Sequence, residues 1–200
     1  MKKKLFLLVS VFLLYFNSLA AVIYNSEPKI FIQELVDDAI KTLSDKSLTL
    51  EEKNSFIEKI AIENVDIKGL GLYTLGQIRK ELDESTLNDY QNLFKSYFLK
   101  SLTSRLNDYS SQKFEVFEAE QKNANYTIVK SKIAESVKSP EIKVDWRVYT
   151  KNPQKPLIRD LIVEGLSLAR TQKEEFASIL NSNNNDINAL IKKLQEFISN

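Results

Sequence analysis

The chain contains no cysteine and no histidine, a single tryptophan, a single methionine and only four glycines in 200 residues. Each shortage excludes something. Without cysteine there are no disulfide staples, so any fold must stand on its own packing. Without cysteine and histidine together, neither a Ser–His–Asp nor a Cys–His catalytic arrangement can be built. The same absence argues against a transition-metal site. Three of the four glycines, Gly69, Gly71 and Gly76, fall close together. Gly69 and Gly71 make no phosphate loop, because no strand precedes them and the rest of the glycine fingerprint is missing. They read as a helix break and a close approach of backbone. Positive charge is in neither excess nor cluster, since 28 basic residues face 27 acidic ones. That balance does not suit a nucleic-acid binder. Acidic pairs such as Asp37–Asp38, Glu51–Glu52 and Glu174–Glu175 are adjacent and solvated, not set across a cleft as acid and base. Chemistry is therefore not what this sequence is built for, and an enzyme is not expected.

What is present begins with an address. Lys2, Lys3 and Lys4 precede the twelve-residue apolar run LFLLVSVFLLYF, and small residues at Ser18 and Ala20 prepare a cut after Ala20. The run is well short of the roughly 20 residues that cross a bilayer, so residues 1–20 read as a secretory signal. Its removal would take the formal net charge from +1 to −2 and leave residues 21–200 as a single domain. No cysteine follows the run, which excludes a lipidated N-terminus. An exported, disulfide-free chain points to the bacterial envelope.

The remainder divides by period. Pro28 opens a helix whose apolar positions are Ile32, Leu35, Val36, Ala39, Ile40 and Leu43. Thr49 and Glu52 form a capping box for a second helix. Residues 85–109 predict the longest helix, with Ser85 as its cap. Its broad aromatic face carries Tyr90, Phe94, Tyr97, Phe98 and Tyr109. Such a stripe is either helical core or the wall of an apolar ligand site. The period then drops to two. Phe114, Val116 and Ala119 alternate, and Tyr126, Ile128 and Ile133 mark a second strand. In the third strand Ile142, Val144, Trp146 and Val148 alternate with Lys143, Asp145, Arg147 and Tyr149. A fourth strand, PLIRDLIVEG, is apolar on both faces except at Asp160, and Gly165 ends it. Asp160 and Glu164 are expected to pair with Arg147, Arg159 or Arg170 at the sheet edge. Helices over about 170–181 and 185–198 close the chain. Helices, then antiparallel strands, then helices make an α+β fold. Incomplete packing between sheet and helices would leave an apolar cavity of the kind that holds lipids.

Four segments taken in order carry a resemblance. They are FIQELVDDAI, VDIKGLGLYTLG before the aromatic helix, IKVDWRVY, and LIRDLIVEGLSLARTQKEEFASIL. Over about residues 27–198 the chain resembles the MlaC family, the phospholipid-binding component of the Mla lipid-transport system, also called toluene-tolerance auxiliary proteins. The resemblance implies a four-stranded antiparallel sheet wrapped by N-terminal and C-terminal helices, with acyl chains in an apolar cavity between them and the headgroup near solvent. It implies a periplasmic shuttle between an outer-membrane lipoprotein complex and an inner-membrane ABC transporter, serving outer-membrane lipid asymmetry. Such a shuttle would be a monomer with phospholipid as cargo, and would need no cofactor, metal or nucleic acid. Burying each CH₂ is worth roughly 0.8 kcal/mol, so acyl chains reward a dry sheath.

Two departures bear on pocket shape. The family's G-x-x-W context reads LGQIRKEL here, without tryptophan, and the tryptophan before its last strand is replaced in KPLIRDL by Leu157 or a neighbour. Period and family pattern together nominate Leu72, Leu75, Phe94, Phe98, Leu102, Val144, Trp146, Val148, Ile162, Val163 and Leu166 as lipid-binding residues. Gly76, Asp160 and Gly165 are nominated for structural roles. Other readings stay open: a carrier of fatty acid or isoprenoid, or a ligand-free interaction module of the envelope.

Overall fold

The computed structural model describes residues 23–106, 113–134 and 140–200, so the expected signal lies outside the described residues. Helix α1 (Pro28–Ser44) has Pro28 in its first turn, and the Glu27 carboxylate caps it by accepting from the N–H groups of Lys29 and Ile30. Helix α2 (Leu50–Asn64) starts at the expected capping box. The Glu52 N–H donates to Thr49 Oγ1 at 3.2 Å, and the Thr49 N–H donates back to Glu52 Oε2 at 2.8 Å.

The expected break at Gly69 and Gly71 is not there. Both lie inside helix α3 (Ile67–Thr74). A side chain at position 69 would collide with the Asp66 carboxylate that caps this helix. One at 71 would stand 2.8 Å from Gln91 and 2.9 Å from Phe94, so Gly71 is where α3 and the next helix press together. Gly76 takes φ 61° just after α3, and a short 3₁₀ turn follows at Ile78–Lys80. Helix α4 (Glu84–Leu106) begins one residue earlier than expected. Asp83, not Ser85, holds its start, accepting from the Thr86 N–H at 2.9 Å and its hydroxyl at 2.8 Å. Tyr109 lies outside the described residues.

The strands are β1 (Phe114–Asn123), β2 (Tyr126–Ile133), β3 (Ile142–Tyr149), β4 (Leu157–Val163) and β5 (Leu166–Ser167), in the antiparallel order β1-β2-β3-β4-β5. The fifth strand goes beyond the four expected. Glu164 and Gly165, at φ 48° and 83°, reverse the chain after β4 so that Val163 pairs with Leu166. Helices α5 (Leu168–Asn181) and α6 (Ile187–Ser199) complete the order. The fold is α+β, as read from the sequence.

Two apolar cores result. One lies between the sheet and helices α1 and α2: Phe31, Ile32, Leu35 and Ile60 pack on Val116, Val129, Val148 and Ile158. The other is helical, with Tyr90, Phe94, Phe176, Leu180, Leu190 and Leu194 joining α4, α5 and α6 under α3. Val65 touches both. At this corner the Asp66 N–H donates to the Ile158 carbonyl at 2.9 Å, fastening the start of α3 to the edge of β4. Within the second core the Tyr90 hydroxyl bonds to Thr74 Oγ1 at 2.9 Å, and burial pushes the Tyr90 phenol well above its ordinary pKa.

Candidate functional site

Helices α1 and α2 cover one face of the sheet. The other face is left as the floor of a cleft of about 940 Å³. The register decides which residues lie there. Ile128 is opposite Arg147, Lys130 opposite Asp145, Asp145 opposite Ile162, and Arg147 opposite Asp160. Leu70, Leu72 and Tyr73 of α3 form one wall with Arg79, and Ala169 at the start of α5 contributes to another. Lys122, Asn123 and Tyr126 border it from the β1–β2 turn. The volume is near the upper end of the roughly 300–1,000 Å³ usual for ligand clefts. Its walls mix apolar and charged side chains.

A bulge shapes the floor. Arg147 pairs with Asp160 and Val148 with Ile158, which leaves Arg159 as an extra residue in β4. Its guanidinium lies 3.4 Å from the centre of the Tyr149 ring and donates to Asp66 Oδ2 at 2.6 Å and to the Tyr126 hydroxyl at 2.7 Å. Burial alone would lower its pKa, but the bonds to Tyr126 and Asp66 outweigh that and hold the charge firmly. Asp66 meanwhile caps α3 through the Gly69 N–H at 2.9 Å, so one carboxylate ties the α3 wall to the floor.

Asp160 is the most buried charge in the cleft, 4% exposed. Its carboxylate accepts from Ser167 Oγ at 2.7 Å and from the Ala169 N–H at 3.0 Å, with Arg147 Nη1 at 3.7 Å. The expected partnership with Arg147 is thus present but loose, and the tighter bonds go to the start of α5. Glu164 has a different partner from those expected, accepting from the backbone N–H of Lys143. Among the described residues no three acidic side chains gather as a metal site would require.

The nominated residues divide. Leu72 and Ile162 border the cleft. Phe94 and Leu75 lie in the helical core, and Phe98 and Leu102 pack half-buried against it, because α3, α5 and α6 close over much of the aromatic stripe of α4. Val144, Trp146 and Val148 sit on the covered face, opposite Ser131, Val129 and Thr127. There Trp146 donates to Ser131 Oγ at 2.9 Å and meets the Phe114 ring edge-on. Val163, cross-strand from Val144, shares that face. Leu166, the first residue of β5, is 69% exposed and outside the cleft lining. Reading the sequence missed Ile128, Arg147, Arg159 and Arg79 as lining residues. For Ile128 the signal was available, since it alternates with buried Thr127 and Val129. For Arg159 it was not, because its direction depends on the bulge.

The family model described as MlaC protein matches residues 33–196. Among solved structures, the chain is similar to a phospholipid-binding protein from Ralstonia solanacearum determined in complex with a phospholipid. The TM-score is 0.70 at 20% identity, covering 84% of this chain and 94% of that one. That likeness establishes the shared fold. No curated protein matches the chain. Among the described residues no helix is long and apolar enough to cross a membrane.

Proposed function

The chain belongs to the MlaC family, and from that premise we propose that it is a periplasmic phospholipid carrier, shuttling lipid between an outer-membrane lipoprotein complex and an inner-membrane ABC transporter. The observation that carries the reading is the cleft of about 940 Å³ between the open face of the sheet and α3. Acyl chains lie against Leu70, Leu72, Ile128 and Ile162, and the alkyl stems of Lys130 and Arg147 extend the apolar surface while their charged ends reach water. The protein supplies apolar burial and a route of release, and no bond is made or broken. Phospholipid is the cargo, and no cofactor enters the account.

The test is native mass spectrometry of the mature chain isolated from a periplasmic extract, with organic extraction of what accompanies it. A discrete adduct that extracts as phospholipid is expected. Replacing Ile162 by Glu should lower lipid retention by about tenfold or more, the equivalent of losing one buried aliphatic side chain, while the circular dichroism spectrum is kept. Bare protein that also takes no lipid from phospholipid vesicles would overturn the carrier reading and leave an interaction module of the envelope.

A further inference from the structure

We infer that Arg79 is the residue by which this chain recognises the phosphodiester of its lipid, an inference that rests on the carrier reading above. Five cations line the cleft: Arg79, Lys122, Lys130, Arg147 and Arg159. Four have a carboxylate within ion-pair distance. Lys122 meets Glu120, Lys130 meets Glu118 at 3.1 Å, Arg147 meets Asp160 at 3.7 Å and Arg159 meets Asp66 at 2.6 Å. Among the described residues Arg79 has none.

Its partners are carbonyls. Nη1 donates to the Gly76 carbonyl at 2.5 Å and the Leu72 carbonyl at 3.3 Å. The Leu72 carbonyl lies in the last turn of α3, where a helix leaves its acceptors without intrahelical donors, and the Gly76 carbonyl belongs to the turn that follows. The guanidinium is therefore anchored through one nitrogen, and Nε and Nη2 make no hydrogen bond to protein among the described residues. A planar fork fixed at one prong, half-buried, beside an apolar wall, suits an anionic oxygen pair better than a flexible lysine would. The surrounding lining carries three carboxylates, of which Glu120 and Asp160 already face a cation. Arg79 is the cation left for a ligand. It also occupies the fourth place of the G-x-x-W context noted in the sequence, after Gly76, Gln77 and Ile78. The departure from the family pattern thus places a charge where an indole would stand.

A bond to carbonyls alone would make Arg79 a helix cap, so the test must read something a cap does not control. Delipidated protein is offered equal amounts of phosphatidylglycerol and a diacylglycerol with the same acyl chains, and the lipid recovered with the protein is quantified by mass spectrometry. The wild type should prefer the phospholipid by about tenfold or more. Arg79→Gln should fall to within about twofold of parity, and Arg79→Lys should keep an intermediate preference. Thermal melts of the same samples report any lost capping separately, and Arg79→Lys carries the test if the glutamine variant does not fold. An Arg79→Gln protein with the wild-type preference overturns the inference, and so does a wild type that takes both lipids alike, which leaves an unselective apolar carrier standing. A wild type that takes neither overturns the carrier reading itself. If inorganic phosphate raises the melting temperature through Arg79 while lipid preference ignores it, the site is one for free anions and the inference falls.

Discussion

The two faces of this sheet are made by the same strands with the same alternation, yet one is sealed and the other is a cleft. On the covered face Val129, Ser131 and Val148 are each 0% exposed. Even its polar member is satisfied: Ser131 donates to the Val144 carbonyl at 2.7 Å and accepts from Trp146 at 2.9 Å. On the open face Ile128, Lys130, Asp145 and Ile162 are only half-buried. The difference does not lie in the strands. Helices α1 and α2 bring Phe31, Ile32, Leu35 and Ile60 down onto the first face, whereas α3 and the start of α5 stand at the margins of the second. Under the proposed carrier function, stability and binding fall on opposite sides of one sheet, and exchanging cargo on one face need not loosen the other.

The largest expected effect tests the sealed side. Phe31 is 2% exposed and central to the α1–sheet core. Phe31→Ala should cost about 3–5 kcal/mol, read as a fall in the urea midpoint with unchanged slope. Below its unfolding transition the variant should still retain lipid. A folded Phe31→Ala protein that releases its cargo would break the comparison, since the faces would then be coupled.

Asp160 is the exception on the open side, a buried carboxylate where its neighbours are half-exposed. It joins β4 to α5 through Ser167 and Ala169, so it belongs to the frame of the cleft. An amide has one acceptor oxygen in place of two. Asp160→Asn keeps the Ala169 bond only if its N–H turns toward Ser167 Oγ, whose hydroxyl must then accept where it donated, and it loses the charge that faces Arg147. The expected cost is about 1–2 kcal/mol in chemical denaturation, smaller than for Phe31 because no cavity is made. A neutral result would mean that Arg147 and the apolar contacts of Ala169 hold this corner without it.

The comparison also explains what the sequence could disclose. Alternation over residues 142–148 correctly groups Val144, Trp146 and Val148 on one face. It does not say which face a helix will cover. The apolar set therefore read as lining, whereas the structure places it on the face that α1 and α2 cover, and Arg147, expected as an ion-pair partner at the sheet edge, also borders the cleft. The aromatic stripe of α4 posed the same question in helical form. Tyr90, Phe94 and Phe176 pack with one another inside the bundle, an arrangement fixed by where α5 and α6 return, far along the chain. Local signals fared better. Thr49 with Glu52, Pro28 and Gly165 each act on a neighbour a few residues away, and each does in the structure what its spacing implied. Gly69 and Gly71 looked local too. Their reason is a contact with the Asp66 carboxylate in one case and with α4 in the other.

The smallest expected effect probes how far the sealed side depends on its helix ends. Thr49 and Glu52 exchange hydrogen bonds at the start of α2, whose Phe56 and Ile60 rest on the covered face. Thr49→Ala should cost about 1 kcal/mol. The effect carries a pH signature. The bonds from the Thr49 N–H and hydroxyl hold the Glu52 carboxyl below its ordinary pKa. A carboxyl depressed in the folded state stabilises the fold fully above its unfolded pKa, about 4.3, and loses that contribution as pH falls through the folded value. Melting temperatures of the wild type and Glu52→Gln should therefore differ at neutral pH and converge as pH falls below the unfolded carboxyl range, while lipid retention stays the same in both. A gap that widened in acid would reverse the sign and show that the folded state favours the protonated Glu52 carboxyl, against the cap bonds. A change in lipid retention would instead show that the end of α2, on the far side of the sheet, reaches the cleft.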